Sequence, residues 1–345
     1  MKNRNDFELA PLLKFENVAW YENGIVKILD RRIYPHKISY VECEHYQEVV
    51  KAIADMVTQS AGPYMACSMG MVLAAKNCED LNRADQIKFL AQAAYDLSHA
   101  RPTTSARMVQ IVNESLARAK TATLQENLID VTFAYALEEA NTRYKRVEQR
   151  AIHLSHKIND GFKVMTQCFP DTVIGMLCRH LKQQNKDVVF YVPETRPYFQ
   201  GSRLTASVIA DMGFEVYVIT DNMIGITMSE KQLDLCLSAA DVITQDGHVI
   251  NKIGTFNIAL AAWYHDIPYY CLGVPSSKHQ TVDSVTIEER HQDNILKIEN
   301  KRYVHPKAKG YYPLFDITPP KLVSGIVTEN GIISPFDLID FFEAE

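Results

Sequence analysis

Residues 239–256 read AADVITQDGHVINKIGTF and gather an acid, a turn, an amide, a lysine and a helix start. Asp241 precedes Asn251 by ten positions, and Lys252 follows at once. A carboxylate can move a proton, and an amide–lysine pair can hold an anion. Asp246 is the rival acid, but its neighbour Gly247 makes it a turn residue. Gly254 and Thr255 before an apolar helix offer backbone amides to an anion, with the charge of Lys252 beside them. Cys168 is the second reagent. It follows a short apolar run and precedes Phe169-Pro170-Asp171, which places it at a strand end ahead of a helix. A helix N-terminus lowers a thiol pKa. The competing reading is a buried structural cysteine.

Arginines form the next group. Arg196 and Arg203 lie within 194–206, and either binds phosphate or serves a structural network. Arg101 precedes Pro102 at the start of a helix candidate, where it faces an anion or caps a loop. Glu288, Glu289 and Arg290 read as a surface or interface charge group. The GxxxxGK[ST] order is absent, so nucleoside triphosphate hydrolysis has no support. No GxGxxG follows a strand, and the eleven histidines form no HExxH. Neither a metal nor an organic cofactor is expected.

These residues need elements to position them. Residues 17–42 predict short strands with a hairpin turn at Glu22-Asn23-Gly24. Apolar residues at helical spacing predict helices over 45–57, 65–75 and 82–99. Residues 125–159 contain no Gly or Pro and predict one or two long helices, with Gly161 as a C-cap. Beyond this point, strand-like runs begin near Lys163, Val188, Glu215, Leu233 and Pro268. They alternate with helix candidates over 172–184, 204–212 and 256–265. Such alternation predicts a parallel sheet covered on both faces, with its ligand beyond the carboxyl ends of the strands. The expected fold is α/β: an N-terminal strand and helical domain, 1–150, and a C-terminal doubly wound, Rossmann-like domain, 151–345.

Composition narrows the class. Hydrophobic residues make up 47% and charged residues 23% of 345, which are globular values. A net charge of −6 argues against binding nucleic acid through bulk positive charge. Seven cysteines without a CxxC pair argue for a reducing compartment and against a zinc knuckle. No signal peptide or membrane span is visible, so a soluble, cytoplasmic protein is expected.

Nearly end to end, the sequence resembles the methylthioribose-1-phosphate isomerase family. That family is related to the regulatory subunits of a eukaryotic translation initiation exchange factor and to ribose-1,5-bisphosphate isomerase. The resemblance runs through AWYENGIVKILDRRIYPH at 19–36, YVECEHYQEVVKAIADMV at 40–57, RPT at 101–103 and TQC at 166–168. It continues through ETRPYFQGSRLTA at 194–206, NKIGTF at 251–256, IEER at 287–290 and FDITPPKLVSGIVTENGII at 315–333. It implies aldose–ketose isomerisation of a sugar 1-phosphate, with Cys168 and Asp241 as the two proton carriers in either order. It also implies that Arg101, Gln200, Asn251 and Lys252 hold phosphate and hydroxyls, and that the molecule is a homodimer.

Two stretches depart from the family pattern. The phosphate loop, usually Arg-Gly-Ala-Pro, is here Gln59-Ser60-Ala61-Gly62-Pro63, without arginine. Ser60 and Ala61 are its substrate-binding candidates, and Arg107 is a possible stand-in for the lost charge. Phe169-Pro170-Asp171 replace the asparagine and small residues that usually follow the cysteine. Three readings therefore compete: an isomerase of 5-methylthioribose 1-phosphate, an isomerase of another pentose phosphate, and a regulatory or ligand-sensing protein.

Overall fold

A computed structural model describes residues 4–101, 105–298 and 301–338. The chain divides into two compact units, Met1–Arg146 and Val147–Glu345.

In the first unit, a short helix α1 (Phe15–Val18) leads into an antiparallel sheet of β1 (Trp20–Glu22), β2 (Ile25–Leu29) and β3 (Tyr40–Cys43). The expected hairpin joins β1 to β2, with Glu22 paired to Ile25. Helices α2 (Tyr46–Ala54), α3 (Gly62–Asn77), α4 (Arg83–Ser98) and α5 (Ser105–Thr121) follow. Apolar and small residues on every side of α3 account for its place as the buried central helix, since it has no polar face to turn to water. The side chain of Asn82 caps α4 by accepting the Asp85 amide. Helix α6 (Leu128–Ser155) begins in the first unit and ends in the second.

Helix α6 stops before Gly161, so this glycine is not its C-cap. Gly161 instead belongs to a separate turn: Phe162 N–H donates to Asn159, and Gly161 N–H donates to Asp187 across the start of the sheet.

The second unit is built on six parallel strands and one antiparallel edge strand. In chain order its elements are β4 (Lys163–Thr166), α7 (Thr172–Gln183), β5 (Val189–Pro193), α8 (Ala206–Asp211), β6 (Glu215–Ile219), α9 (Ile224–Lys231) and β7 (Leu235–Ala239). Then come β8 (Val242–Ile243), β9 (Val249–Lys252), α10 (Thr255–Tyr264), β10 (Tyr269–Leu272), α11 (Asp293–Leu296), β11 (Lys297–Ile298) and β12 (Lys301–Arg302). The last strands are β13 (Phe315–Thr318), β14 (Gly325–Thr328) and β15 (Gly331–Ile333).

The sheet order is β15-β14-β10-β7-β4-β5-β6. From β4 the chain winds outward through β5 and β6, then returns to the other side of β4 for β7, β10 and β14. This is the doubly wound order, and the reversal puts a topological switch point between β4 and β7. Val164, Met165, Leu235 and Cys236 are fully or almost fully buried there. Burial of side chains such as Val164 and Leu235 stabilises the centre by about 1.5–3 kcal/mol each. Strands β8, β9 and β13 form a separate antiparallel sheet. Among the described residues, no helix is long and apolar enough to cross a membrane.

Candidate functional site

Cys168 stands two residues beyond β4, and Asp241 stands two residues beyond β7. These strands are neighbours at the switch point, with Thr166 paired to Leu237. The topology therefore brings both reagents to one edge of the sheet. Their electrostatics agree, because the charge of Asp241 acts on the Cys168 thiol.

Cys168 is half-buried and has a φ of 57°, a left-handed conformation that is uncommon for a side-chain-bearing residue. The Thr205 hydroxyl donates to its carbonyl and pins the turn. Burial pushes the thiol up to about 11. Lys252 and the Phe169 amide pull it down, while Asp241 and Asp221 push it further up. The expectation of a thiol activated by a helix N-terminus is thus corrected. Helix α7 begins only at Thr172, and desolvation is the largest influence on the thiol. At neutral pH Cys168 holds its proton.

Asn251 and Lys252 end β9, and both are buried. Asn251 Nδ2 donates to Thr255 Oγ1 at 3.0 Å, and that hydroxyl donates to the Lys252 carbonyl at 2.7 Å. The Lys252 ammonium lies 5.3 Å from the centre of the Phe315 ring and 5.8 Å from that of Tyr198. Each such contact is worth about 0.5–2 kcal/mol to a cation held away from water.

The amides at the start of α10 do not await an external anion. Asp316 Oδ2 accepts from Gly254 N–H at 2.7 Å and from Phe256 N–H at 3.1 Å. Burial pushes this carboxyl up to about 6, against the pull of those amides. Sequence reading missed Asp316. It lies 62 positions from Gly254, so no local spacing links the two. Gly254 has a φ of 103°, and a Cβ there would come within 2.8 Å of Gln167.

Gln200 is buried beyond β5, just before a π-helical turn, Gly201–Thr205. A Cβ on Gly201 would lie 1.9 Å from the Pro193 carbonyl, so only glycine allows this close return onto β5. Arg196 Nη2 donates to Tyr303 Oη at 3.1 Å, and Arg203 Nε donates to the Tyr198 carbonyl at 3.2 Å. Both arginines thus bind elements of the second unit. Arg196 also lines an open cavity of about 250 Å³ with Gln167, Asp221, Gly254, Asn257 and Tyr312.

Asp246 is the turn residue: it accepts from Thr244 and from the Val282 amide, and it pairs with His248. Glu288 and Arg290 form an ion pair at 2.7 Å. Among the described residues, no three His, Cys, Asp or Glu side chains group to hold a metal.

Arg101, Ser60 and Ala61 belong to the first unit. Arg101 is half-buried beyond α4, and Pro102 and Thr103 of its motif lie outside the described residues. Ser60 is exposed with a φ of 57°, and Ala61 is the N-cap of α3. Arg31, fully buried, donates through Nη1 to the Gln59 carbonyl at 2.7 Å. Arg107 pairs with Glu139 at 3.0 Å and donates to Gln110.

Residues 60–335 match the model of the Initiation factor 2 subunit family. The chain is 31% identical to Methylthioribose-1-phosphate isomerase 1 of Pseudothermotoga lettingae, over 92% of this chain and 94% of that one. It is 34% identical to a putative methylthioribose-1-phosphate isomerase of Sulfolobus acidocaldarius, over 96% and 97%. Among solved structures, it resembles translation initiation factor eIF-2B subunit delta from A. fulgidus. There the TM-score is 0.84 and the identity 28%, over 94% of this chain and 97% of that one. The fold is also shared with 5-methylthioribose 1-phosphate isomerase from Pyrococcus horikoshii: TM-score 0.83, identity 24%, coverage 98% of both chains.

Proposed function

The chain belongs to the Initiation factor 2 subunit family, and we propose that it is an aldose–ketose isomerase converting 5-methylthioribose 1-phosphate to 5-methylthioribulose 1-phosphate. The observation that carries this reading is the pairing of Cys168 and Asp241 at the switch point, with Lys252 in the field of the thiol. The near-full-length likeness to isomerases supports it.

In such a substrate the anomeric oxygen carries phosphate, so the ring opens only when its oxygen receives a proton as the bond to C1 breaks. Hydrogen then leaves C2 and arrives at C1, and the C2 hydroxyl gives up its proton. C2 becomes a carbonyl, C1 becomes a CH2 bearing phosphate, and no external oxidant takes part. Cys168 is the proton donor, because burial keeps the thiol protonated at neutral pH. Asp241 accepts the proton from the C2 side, and exchange between the two groups resets them. Lys252 and Asn251 hold phosphate or hydroxyl, and Gln200 holds a hydroxyl. Arg101, Ser60 and Ala61 complete the substrate-binding set, an assignment that rests on the family resemblance.

The arginine-free loop 59–63 favours two competing readings, another pentose phosphate as substrate or a ligand-sensing role. Incubation with a panel of sugar 1-phosphates separates all three. Ketose formed from the methylthio sugar supports the proposal, ketose only from another pentose phosphate transfers it to that substrate, and binding without turnover supports sensing.

We also assign the protein as a cytoplasmic homodimer pairing through the second unit. Ile226 of α9 and Leu260, Trp263 and Tyr264 of α10 expose apolar surface there. Light scattering on Trp263→Glu is expected to report monomers; an unchanged dimer would place the interface elsewhere.

A further inference from the structure

Helix α10 is capped from a distance. Helices are usually capped by the residue that precedes them. Here the preceding residue, Gly254, has no side chain, and the capping carboxylate comes from Asp316 on β13. Strand β13 pairs with β9 so that Asp316 faces Asn251 and Phe315 faces Lys252. Ile253 N–H donates to the Leu314 carbonyl at 3.1 Å and closes the same corner. One short strand therefore holds both sides of the turn: its backbone holds β9, and its carboxylate holds the first amides of α10. The Asn251–Thr255–Lys252 hydrogen bonds hang from this turn.

A buried carboxylate is an expensive way to satisfy two amides. Its raised pKa records that cost, and a neutral asparagine oxygen would accept the same hydrogen bonds. What the charge adds is a stronger hold on amides that a helix dipole makes partly positive.

We propose that Asp316 is a positioning residue: its carboxylate locks the β9–α10 turn, and with it Asn251 and Lys252, in the geometry that binds the sugar phosphate. This deepens the isomerase reading and rests on it for the identity of the ligand. A corollary is that the substrate phosphate is held by side chains here and not by the α10 amides, which Asp316 already occupies.

The test combines steady-state kinetics on 5-methylthioribose 1-phosphate with amide hydrogen exchange of the 251–258 segment. It compares the wild type with Asp316→Ala, Asp316→Asn and Asn82→Ala. Asp316→Ala is expected to raise KM about tenfold or more, with kcat within about threefold of wild type. Exchange at residues 254–256 is expected to accelerate about a hundredfold. Asp316→Asn, which keeps an acceptor oxygen but loses the charge, is expected to fall between wild type and Asp316→Ala in both KM and exchange. Asn82→Ala removes the side-chain cap of α4, in the first unit, and controls for general destabilisation; its KM is expected to stay at the wild-type value. Wild-type KM and exchange in Asp316→Ala would overturn the proposal, and so would an equal rise of KM in Asn82→Ala. If the wild type turns over no sugar phosphate, the isomerase reading falls on its own. Exchange then decides: acceleration in Asp316→Ala upholds the anchoring role, and unchanged rates overturn it.

Discussion

Two helix starts carry substrate candidates, and they are built in opposite ways. Helix α10 opens with Gly254-Thr255 and takes its own anion, Asp316, across its first amides. Helix α3 opens with Gly62-Pro63, has no acid in its first turn, and has a buried cation, Arg31, holding the preceding Gln59 carbonyl. A glycine before a helix suggests the same anion site in both places. The charge that folding brings to each start decides otherwise: α10 takes the Asp316 carboxylate across its first amides, whereas the first turn of α3 carries no acid of its own. In the proposed reaction the chemistry falls to the ends of β4 and β7, and the loop at 59–63 is the candidate for substrate choice.

The largest effect expected from breaking this division is at the sheet edge. Cys168→Ser and Asp241→Asn should each lower kcat by about a thousandfold or more while the thermal midpoint holds, measured by ketose formation and calorimetry. Retained activity in both would remove the sheet edge from the mechanism. Cys168 also has a pH signature. Its thiol, raised to about 11, is protonated at neutral pH and loses that proton as pH rises. Iodoacetamide labelling of Cys168, followed by peptide mass spectrometry, should therefore be slow at pH 7. Below that pKa it should quicken about tenfold per pH unit. Fast labelling at pH 7 would show a thiolate and reverse the assigned proton direction.

At α3 the expected losses are smaller. Arg31→Leu leaves the Gln59 carbonyl without this donor and should destabilise the protein by about 1–3 kcal/mol in urea unfolding. It should also weaken substrate binding through the loop. Ser60→Arg returns an arginine to the loop at an exposed position. Competition by orthophosphate should tighten by up to about tenfold, and no tightening would detach the loop from phosphate. The smallest effect is expected at Asp246→Asn. This residue serves the turn before β9, so kcat should stay within about threefold of wild type.

Much of the scaffold was legible because local signals agree with the fold. The runs beginning near Lys163, Val188, Glu215, Leu233 and Pro268 became β4, β5, β6, β7 and β10, and their alternation with helices announced the parallel sheet. Strands β9 and β13 were not read, because they form a separate antiparallel sheet outside the strand–helix alternation, and β14 follows a long stretch without that alternation. Helix α9 escaped notice because its eight residues, IGITMSEK, mix polar and β-branched types. Gly161 looked like a C-cap because nothing local shows that α6 ends at Ser155. At the site, strand ends placed Cys168 and Asp241, but burial sets the thiol's pKa, and burial is a tertiary property. Asp316 was invisible for the same reason: only the pairing of β13 with β9 brings it to Gly254.

If the ends of β4 and β7 move hydrogen between C2 and C1 of a phosphorylated aldose, the reaction is visible in the substrate itself. Its most direct test follows 5-methylthioribose 1-phosphate, labelled with carbon-13 at C1, by NMR in the presence of the protein. The anomeric signal should give way to a phosphate-bearing CH2 signal with wild-type protein and persist with Cys168→Ser. An anomeric signal unchanged in the presence of wild-type protein would remove this hydrogen transfer from the protein.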